Sequence, residues 1–180
     1  MKKLKTSELN RLSIEEFQQS AKNPVVVVLD NIRSMNNIGS VFRSCDAFRV
    51  EKLFLCGITA TPPHREIQKT ALDATESVDW KYFEETPDAI KFLKENGFTV
   101  FAVEQTDKSF TLKNMQVKHN EKIALVFGNE INGISDEALN ICDYALEIPQ
   151  FGTKHSLNIS VSVGIVLWDI ISKHKEFLNH

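Results

Sequence analysis

The order of apolar segments predicts an α/β fold, a mostly parallel sheet with helices on both faces. Three observations carry this reading. Five short runs at residues 25–29, 53–56, 98–103, 123–127 and 144–148 are mainly apolar, three of them without a break, as strands covered on both faces are. Helical patterns at residues 38–48, 87–96 and 136–142 stand between several of them, and strands that alternate with helices form parallel sheets. A length of 180 residues, 42% of them hydrophobic and 25% charged, suits one compact domain.

The chain starts with an amphipathic stretch carrying Leu9, Leu12, Ile14 and Phe17, so residues 1–24 are read as a helical extension to a domain spanning 25–180. Lys2, Lys3, Lys5, Arg11 and Lys22 outnumber Glu8, Glu15 and Glu16 there. A solvated helix face or a frayed tail explains that balance more simply than a nucleic-acid contact. The first strand ends at Asp30-Asn31. In the helix that follows, Asn37 is the expected N-cap, and Ile38, Phe42 and Cys45 fall at i, i+4, i+7 to form the buried stripe. Arg43 lies off that stripe. Its side chain leans toward the helix N-terminus across Gly39 and Ser40, small enough to leave room for a substrate group. An arginine beside free helix N–H groups suits an RNA phosphate, and a surface pair with Asp46 is an equal alternative.

Residues 59–63, with two prolines, and the polar stretch 106–120 read as loops. The run 127–135, F-G-N-E-I-N-G-I-S, places one carboxylate, Glu130, between Gly128 and Gly133, which permit tight turning. Taken alone, Glu130 is more simply a cap for the helix beginning near Ser135. Pro149 then ends the last strand, because it has no N–H for a ladder. Residues 150–155 form a surface loop in which backbone can approach a ligand at Gly152, and Ser156 is the expected N-cap of a final helix over 157–171. That helix is apolar almost all round, which predicts burial on more than one side, in the core or at a subunit interface. It is too short for a membrane span, and Asn158, Ser160, Ser162 and Asp169 interrupt it.

Composition narrows the function. A net charge of −3 gives no global basic signature, so any nucleic-acid binding has to come from local patches. Cys45, Cys56 and Cys142 are odd in number and widely spaced, against both a disulfide framework and a structural metal site. No apolar segment follows the lysine-rich start as in a signal peptide, so a cytoplasmic location is expected. A dinucleotide fold would need G-x-G-x-x-G after the first strand, where residues 36–41 hold only Gly39. Ligands of parallel sheets bind at the carboxyl ends of the strands. Four clusters lie there: Asp30-Asn31 with Asn36-Asn37-Ile38-Gly39, Glu104-Gln105-Thr106, Gly128-Asn129-Glu130, and the loop after Pro149.

Together, Asn37 to Arg43, then Gly128, Glu130 and Gly133, then Ile148-Pro149, Gly152 and Ser156-Leu157-Asn158 resemble the three motifs of the SpoU (TrmH) branch of the SPOUT superfamily of RNA 2′-O-methyltransferases. The resemblance runs from about Val25 to His174. Gln150 stands where the family often has Met, and Ile131-Asn132 replaces a smaller pair. The resemblance implies a deep C-terminal trefoil knot, a homodimer, and S-adenosylmethionine held by Gly128, Ile148 and Leu157 with Thr106 adjacent. It implies no metal, and an active-site set of Asn37, Arg43, Glu130, Ser156 and Asn158. A guanidinium with a pKa above ~12 is a poor free base. Arg43 is therefore read as holding a phosphate and the 2′-oxygen, Ser156 and Asn158 as positioning ribose and Arg43, and Glu130 as ordering its loop. The segments Val103-Glu104-Gln105-Thr106 and Ile148-Pro149-Gln150 look like those of relatives acting on a tRNA D-loop guanosine. Transfer RNA is accordingly the expected substrate, with ribosomal RNA as the alternative. A non-catalytic RNA-binding member of the fold is a third reading, and the presence of Arg43 and Asn158 counts against it.

Overall fold

A computed structural model describes residues 1–5, 8–118 and 120–173. The carboxyl end of the expected domain, residues 174–180, lies outside them. The sheet has seven strands: β1 (Asn23–Asp30), β2 (Val50–Cys56), β3 (Trp80–Phe83), β4 (Thr99–Val103), β5 (Phe110–Thr111), β6 (Ile123–Phe127) and β7 (Tyr144–Glu147). Their order is β3-β2-β1-β6-β4-β7-β5, and every pairing is parallel. The helices are α1 (Ile14–Gln19), α2 (Met35–Ala47), α3 (Arg65–Ala71), α4 (Ala74–Ser77), α5 (Thr86–Glu95), α6 (Asp136–Leu139) and α7 (Ile159–Lys173). Among the described residues, no helix is long and apolar enough to cross a membrane.

Alternation along the strands divides the core in two. Val25, Val27 and Leu29 of β1 pack with residues of α2, α3 and α7, while Val26 and Val28 pack with residues of α5 and α6. Both faces of the sheet are therefore covered, which is why β1 and β6 read as unbroken apolar runs. Phe17 of α1 is buried in the first cluster, so the amino-terminal extension is anchored to the domain.

Several boundaries differ from the sequence expectations for physical reasons. Strand β3 was not anticipated, because a four-residue edge strand with exposed Lys81 and Tyr82 lacks a buried run. Helices α3 and α4, of seven and four residues, are too short to leave a clear period in the sequence. Strand β2 starts at Val50, its half-buried Glu51 and Lys52 masking the first turn of the pattern. The loop over 106–120 contains β5 and a 3-10 turn at Leu112–Asn114. Helix α6 stops at Leu139 rather than at residue 142.

Two caps move as well. Ser34, not Asn37, caps α2, accepting the Asn37 backbone N–H at 3.3 Å. Asn37 thus sits inside the first turn with its side-chain amide free for other partners. Helix α7 begins at Ile159, and Asn158 rather than Ser156 acts as its cap, its Oδ1 accepting the Ser160 N–H at 2.9 Å. Among the described residues α7 buries one side, through Ile159, Val163, Val166, Leu167 and Ile170, whereas Val161, Ile165 and Trp168 are exposed.

Gly39 does not leave room for a substrate group. A Cβ there would meet Thr70 Oγ1 at 2.0 Å and the Ile67 carbonyl at 2.4 Å, so the glycine lets α2 lie directly against α3. Gly39→Ala is expected to destabilise the fold by roughly 1–3 kcal/mol through overpacking. Urea unfolding tests this: a lowered midpoint is the expected result, and an unchanged one would show that the two helices do not need the close approach.

Candidate active site

The carboxyl ends of β1, β6, β4 and β7 are neighbours in the sheet, so the loops that leave them meet on one edge. Asp30 is the last residue of β1 and is only 1% exposed. Its Oδ2 accepts the Ser135 N–H at 2.7 Å and the Ser135 hydroxyl at 2.9 Å, while Oδ1 accepts the Asn31 amide at 2.8 Å and the Thr86 hydroxyl. This ties the end of β1 to the end of the 128–135 loop and to the first turn of α5. Asn129 secures the same loop from its other side, donating its amide to the Asn31 carbonyl at 2.7 Å. Its own Oδ1 accepts the Ile131 N–H at 2.9 Å.

The glycines fit this tight geometry. Asn129 and Gly133 pair through two backbone hydrogen bonds, and Gly133 has φ of 70°. A Cβ on Gly128 would lie 2.1 Å from the Gly133 carbonyl carbon, and one on Gly133 would lie 2.3 Å from Glu104 Oε2. Glu104 Oε2 in turn accepts the Ile134 N–H at 3.2 Å. The loop is thus clasped by carboxylates from β1 and from the end of β4.

From this loop Glu130 reaches across to α2. The Asn37 amide donates to Glu130 Oε1 at 3.0 Å, and the Arg33 N–H approaches Oε2 at 3.5 Å. Asn37 Oδ1 accepts from the Asn158 amide at 3.2 Å, while Asn158 Oδ1 accepts from the Ser160 hydroxyl at 2.7 Å. One asparagine therefore joins the three sequence motifs in a single chain of hydrogen bonds. Glu130 reaches Asn37 instead of capping the helix near Ser135. Partial burial pushes the Glu130 carboxyl up, but hydrogen bonds from Asn37 and from the N–H groups of Glu130, Arg33 and Ser34 outweigh it and hold the group below the usual glutamate range.

The expected cofactor residues share this edge. Gly128 directly follows β6, half-buried Ile148 directly follows β7, and Leu157 precedes α7, partly exposed at 38%. Thr106 lies in the loop after β4, where its carbonyl accepts from the Ser109 hydroxyl, which also donates to Glu147 of β7 at 2.8 Å. Gln105 donates to the His155 carbonyl at 3.1 Å and so links the β4 loop to the loop after Pro149. Gly152 faces open space.

Two members of the expected set are not tied into the network. Ser156 is exposed, and Arg43 is exposed on α2; neither makes a side-chain hydrogen bond among the described residues. Arg43 makes no ion pair with Asp46 among the described residues, and Asp46 Oδ2 accepts the Ser77 hydroxyl. Asp30, Asn129 and Glu104 were noticed in the sequence only as strand-end residues. The signal was available in an acid directly following a wholly apolar strand. Burial pushes the thiols of Cys56 and Cys142 up to about 12 and raises Cys45 as well, which leaves none of them nucleophilic at neutral pH. Among the described residues, no group of three or more His, Cys, Asp or Glu is placed to hold a metal ion.

Parallel strands, a glycine-clasped loop and three motifs joined at the strand ends make this edge the candidate ligand site of an α/β protein, and comparison with known proteins gives the family. Residues 24–168 match the SpoU rRNA methylase family, and the chain belongs to that family. It is 32% identical over 166 residues to a tRNA (guanosine(18)-2′-O)-methyltransferase of Thermus thermophilus, covering 91% of this chain and 82% of that protein. The crystal structure of the Aquifex aeolicus TrmH/SpoU tRNA modifying enzyme superposes with a TM-score of 0.79 at 24% identity, over 91% of this chain and 81% of that one. An AdoMet-bound rRNA methyltransferase from Sinorhizobium meliloti superposes with a TM-score of 0.76 at 25% identity, over 89% of this chain and 60% of that one.

Because the folded-state pKa of Glu130 is depressed, its ionisation stabilises the fold above the unfolded-state value, and that contribution is lost as pH falls through the folded-state value. Asn37→Ala removes the side-chain donor. The Glu130 titration, followed by carbon NMR of the labelled carboxyl, is expected to move up toward the usual glutamate value, so the contribution shrinks and its loss on acidification is complete at a higher pH. A titration unchanged by the substitution would show that Asn37 does not hold Glu130.

Proposed function

We propose that this chain transfers a methyl group from S-adenosylmethionine to a ribose 2′-hydroxyl of structured RNA. The observation that carries the reading is the Glu130–Asn37–Asn158 hydrogen-bond chain, which places all three family motifs around one edge of the sheet. The residues there fit the cofactor. Gly128, Ile148, Leu157 and Thr106 would hold it, largely through backbone groups of the loops at this edge. Half-buried Ile148 and partly exposed Leu157 offer apolar surface to an adenosine. The cofactor supplies a methyl group on a sulfonium centre that is already activated for transfer.

The remaining work falls to side chains. Aligning the 2′-oxygen with the methyl carbon and sulfur lowers the barrier by orientation. Asn158 is fixed by Asn37 on one side and by Ser160 on the other, so its position next to Ser156 is set before RNA arrives. Ser156 and Asn158 would hold the ribose, and ionised Glu130 would keep the 128–135 loop and α2 together. Arg43 has no competing partner among the described residues and is free to take a phosphate and the 2′-oxygen. Its positive charge stabilises the developing oxyanion, while the proton passes to a phosphate oxygen or to water.

Three finer features belong to the same reading. The apolar face of Val161, Ile165 and Trp168, with Phe48 6.3 Å from the Trp168 ring, would be covered by a second copy of the chain. A carboxyl-terminal trefoil knot fits a sheet in which β6 inserts between β1 and β4. The division after residue 24 is kept as part of this reading, although it falls within β1 (Asn23–Asp30), one residue after the start of that strand. A tRNA D-loop guanosine is the favoured target because the Thermus relative modifies guanosine 18, and ribosomal RNA is the alternative because the Sinorhizobium neighbour acts on it. A cytoplasmic location follows from such a substrate.

Purified protein with S-adenosylmethionine labelled in the methyl group is expected to label an unmodified tRNA transcript at a ribose. Arg43→Lys should lower turnover by about 10²-fold or more, because a point charge cannot reproduce the forked contact, while cofactor affinity stays near that of the wild type. Near-normal turnover with lysine would remove the assigned role of Arg43.

A further inference from the structure

A groove of about 520 Å³ lies on the flank of α2, between the arm around residues 10–14 and helices α3 and α4. Three arginines line it, Arg11, Arg43 and Arg49, against Asp46 and Asp73. This is a local excess of cations on a chain of net charge −3. None of the three guanidinium groups has a hydrogen-bond or ion-pair partner among the described residues, and one oxygen of Asp46 is already engaged by the Ser77 hydroxyl. The three guanidinium groups outnumber the two carboxylates of the groove, and phosphate is the group that the planar guanidinium fork fits best.

The arm that completes the groove is held in place. Ser13 and Glu16 form a reciprocal capping box at the start of α1, and Phe17 is buried in the core. Arg11 lies two residues before that cap, while Leu12 and Leu72 are 43% and 63% exposed, offering apolar rim to a base or a ribose. The arm lies outside the part of the chain that matches the family, residues 24–168. Arg43 belongs to both places: it is a motif residue and also lines this groove.

We infer that the groove is a phosphate track for the RNA strand as it leaves the target nucleotide, with Arg11 and Arg49 as its contacts beyond Arg43. The inference rests on the proposed RNA methyltransferase reading. Phosphate contacts are independent of sequence, so any structured RNA reports on them.

The test measures binding of an unmodified tRNA transcript by fluorescence anisotropy at several salt concentrations, for the full chain and three variants. Arg11→Glu and Arg49→Gln are expected to weaken RNA binding, the former by about tenfold, and each should reduce the salt slope by about one. Asp73→Asn should tighten binding about twofold, a gain that misfolding cannot produce. Asp73 has φ of 68°, a conformation asparagine accepts, and its side chain makes no cap hydrogen bond. S-adenosylmethionine affinity by calorimetry is expected to be unchanged in all three. RNA affinity equal to the wild type in all the variants, with methyl transfer intact, overturns the groove and leaves the enzyme reading standing. Charge-dependent RNA binding by a protein that methylates no RNA supports the groove and overturns the enzyme reading.

Discussion

The functional edge depends on one buried carboxylate. Asp30 ends a strand near the middle of the sheet, is 1% exposed, and takes hydrogen bonds from Ser135, Asn31 and Thr86. Polar oxygens at that depth need their acceptor positions filled, and each buried donor left without them would cost about 1–3 kcal/mol. The consequence is directional. Because Ser135 and Asn31 must turn toward Asp30, the 128–135 loop and the loop after β1 are brought to the same place, and Asn129 adds its own bond between them. Glu130 then projects from a loop anchored at both ends.

On that support the active edge is assembled from weak parts. Asn37, Glu130 and Asn158 are polar groups near the surface, and single hydrogen bonds between such groups add little to stability. Their value is positional, because each comes from a different loop, and Asn37 uses both its donor and its acceptor to connect the other two. Gly128 and Gly133 contribute through the absence of a Cβ, which would collide with backbone or with Glu104 at either position. The glycine in the first motif acts differently. Gly39 seats α2 on α3, and that contact sets the position of the helix carrying Asn37 and Arg43.

Much of this architecture can be read from residue order. The apolar runs that became β1 and β6 are buried on both faces, and alternation with helices predicted the parallel sheet correctly. Strand β3 and helices α3 and α4 were hidden because they are short and half-exposed, so burial left little periodic trace in their residues. Asn37 illustrates a subtler limit. Its composition and place suggested an N-cap, yet Ser34 three residues earlier takes that role, and only then is the Asn37 amide free to bridge Glu130 and Asn158. Asn158 moved the other way, from a residue inside the final helix to its cap. The site residues were recognisable as a set through the family motifs, but their connections depend on loop geometry that no spacing rule supplies. The exposed side of α7 is apolar as expected, and among the described residues it stays uncovered.

The most direct measurement is a map of ribose 2′-O-methylation across transfer and ribosomal RNA from cells that lack this protein, compared with the parent. The account predicts the loss of a discrete 2′-O-methylated ribose, with the D-loop guanosine of tRNA as the favoured position, and its return when the wild-type gene but not the Arg43→Lys variant is restored. An unchanged methylation map in both classes of RNA would contradict it.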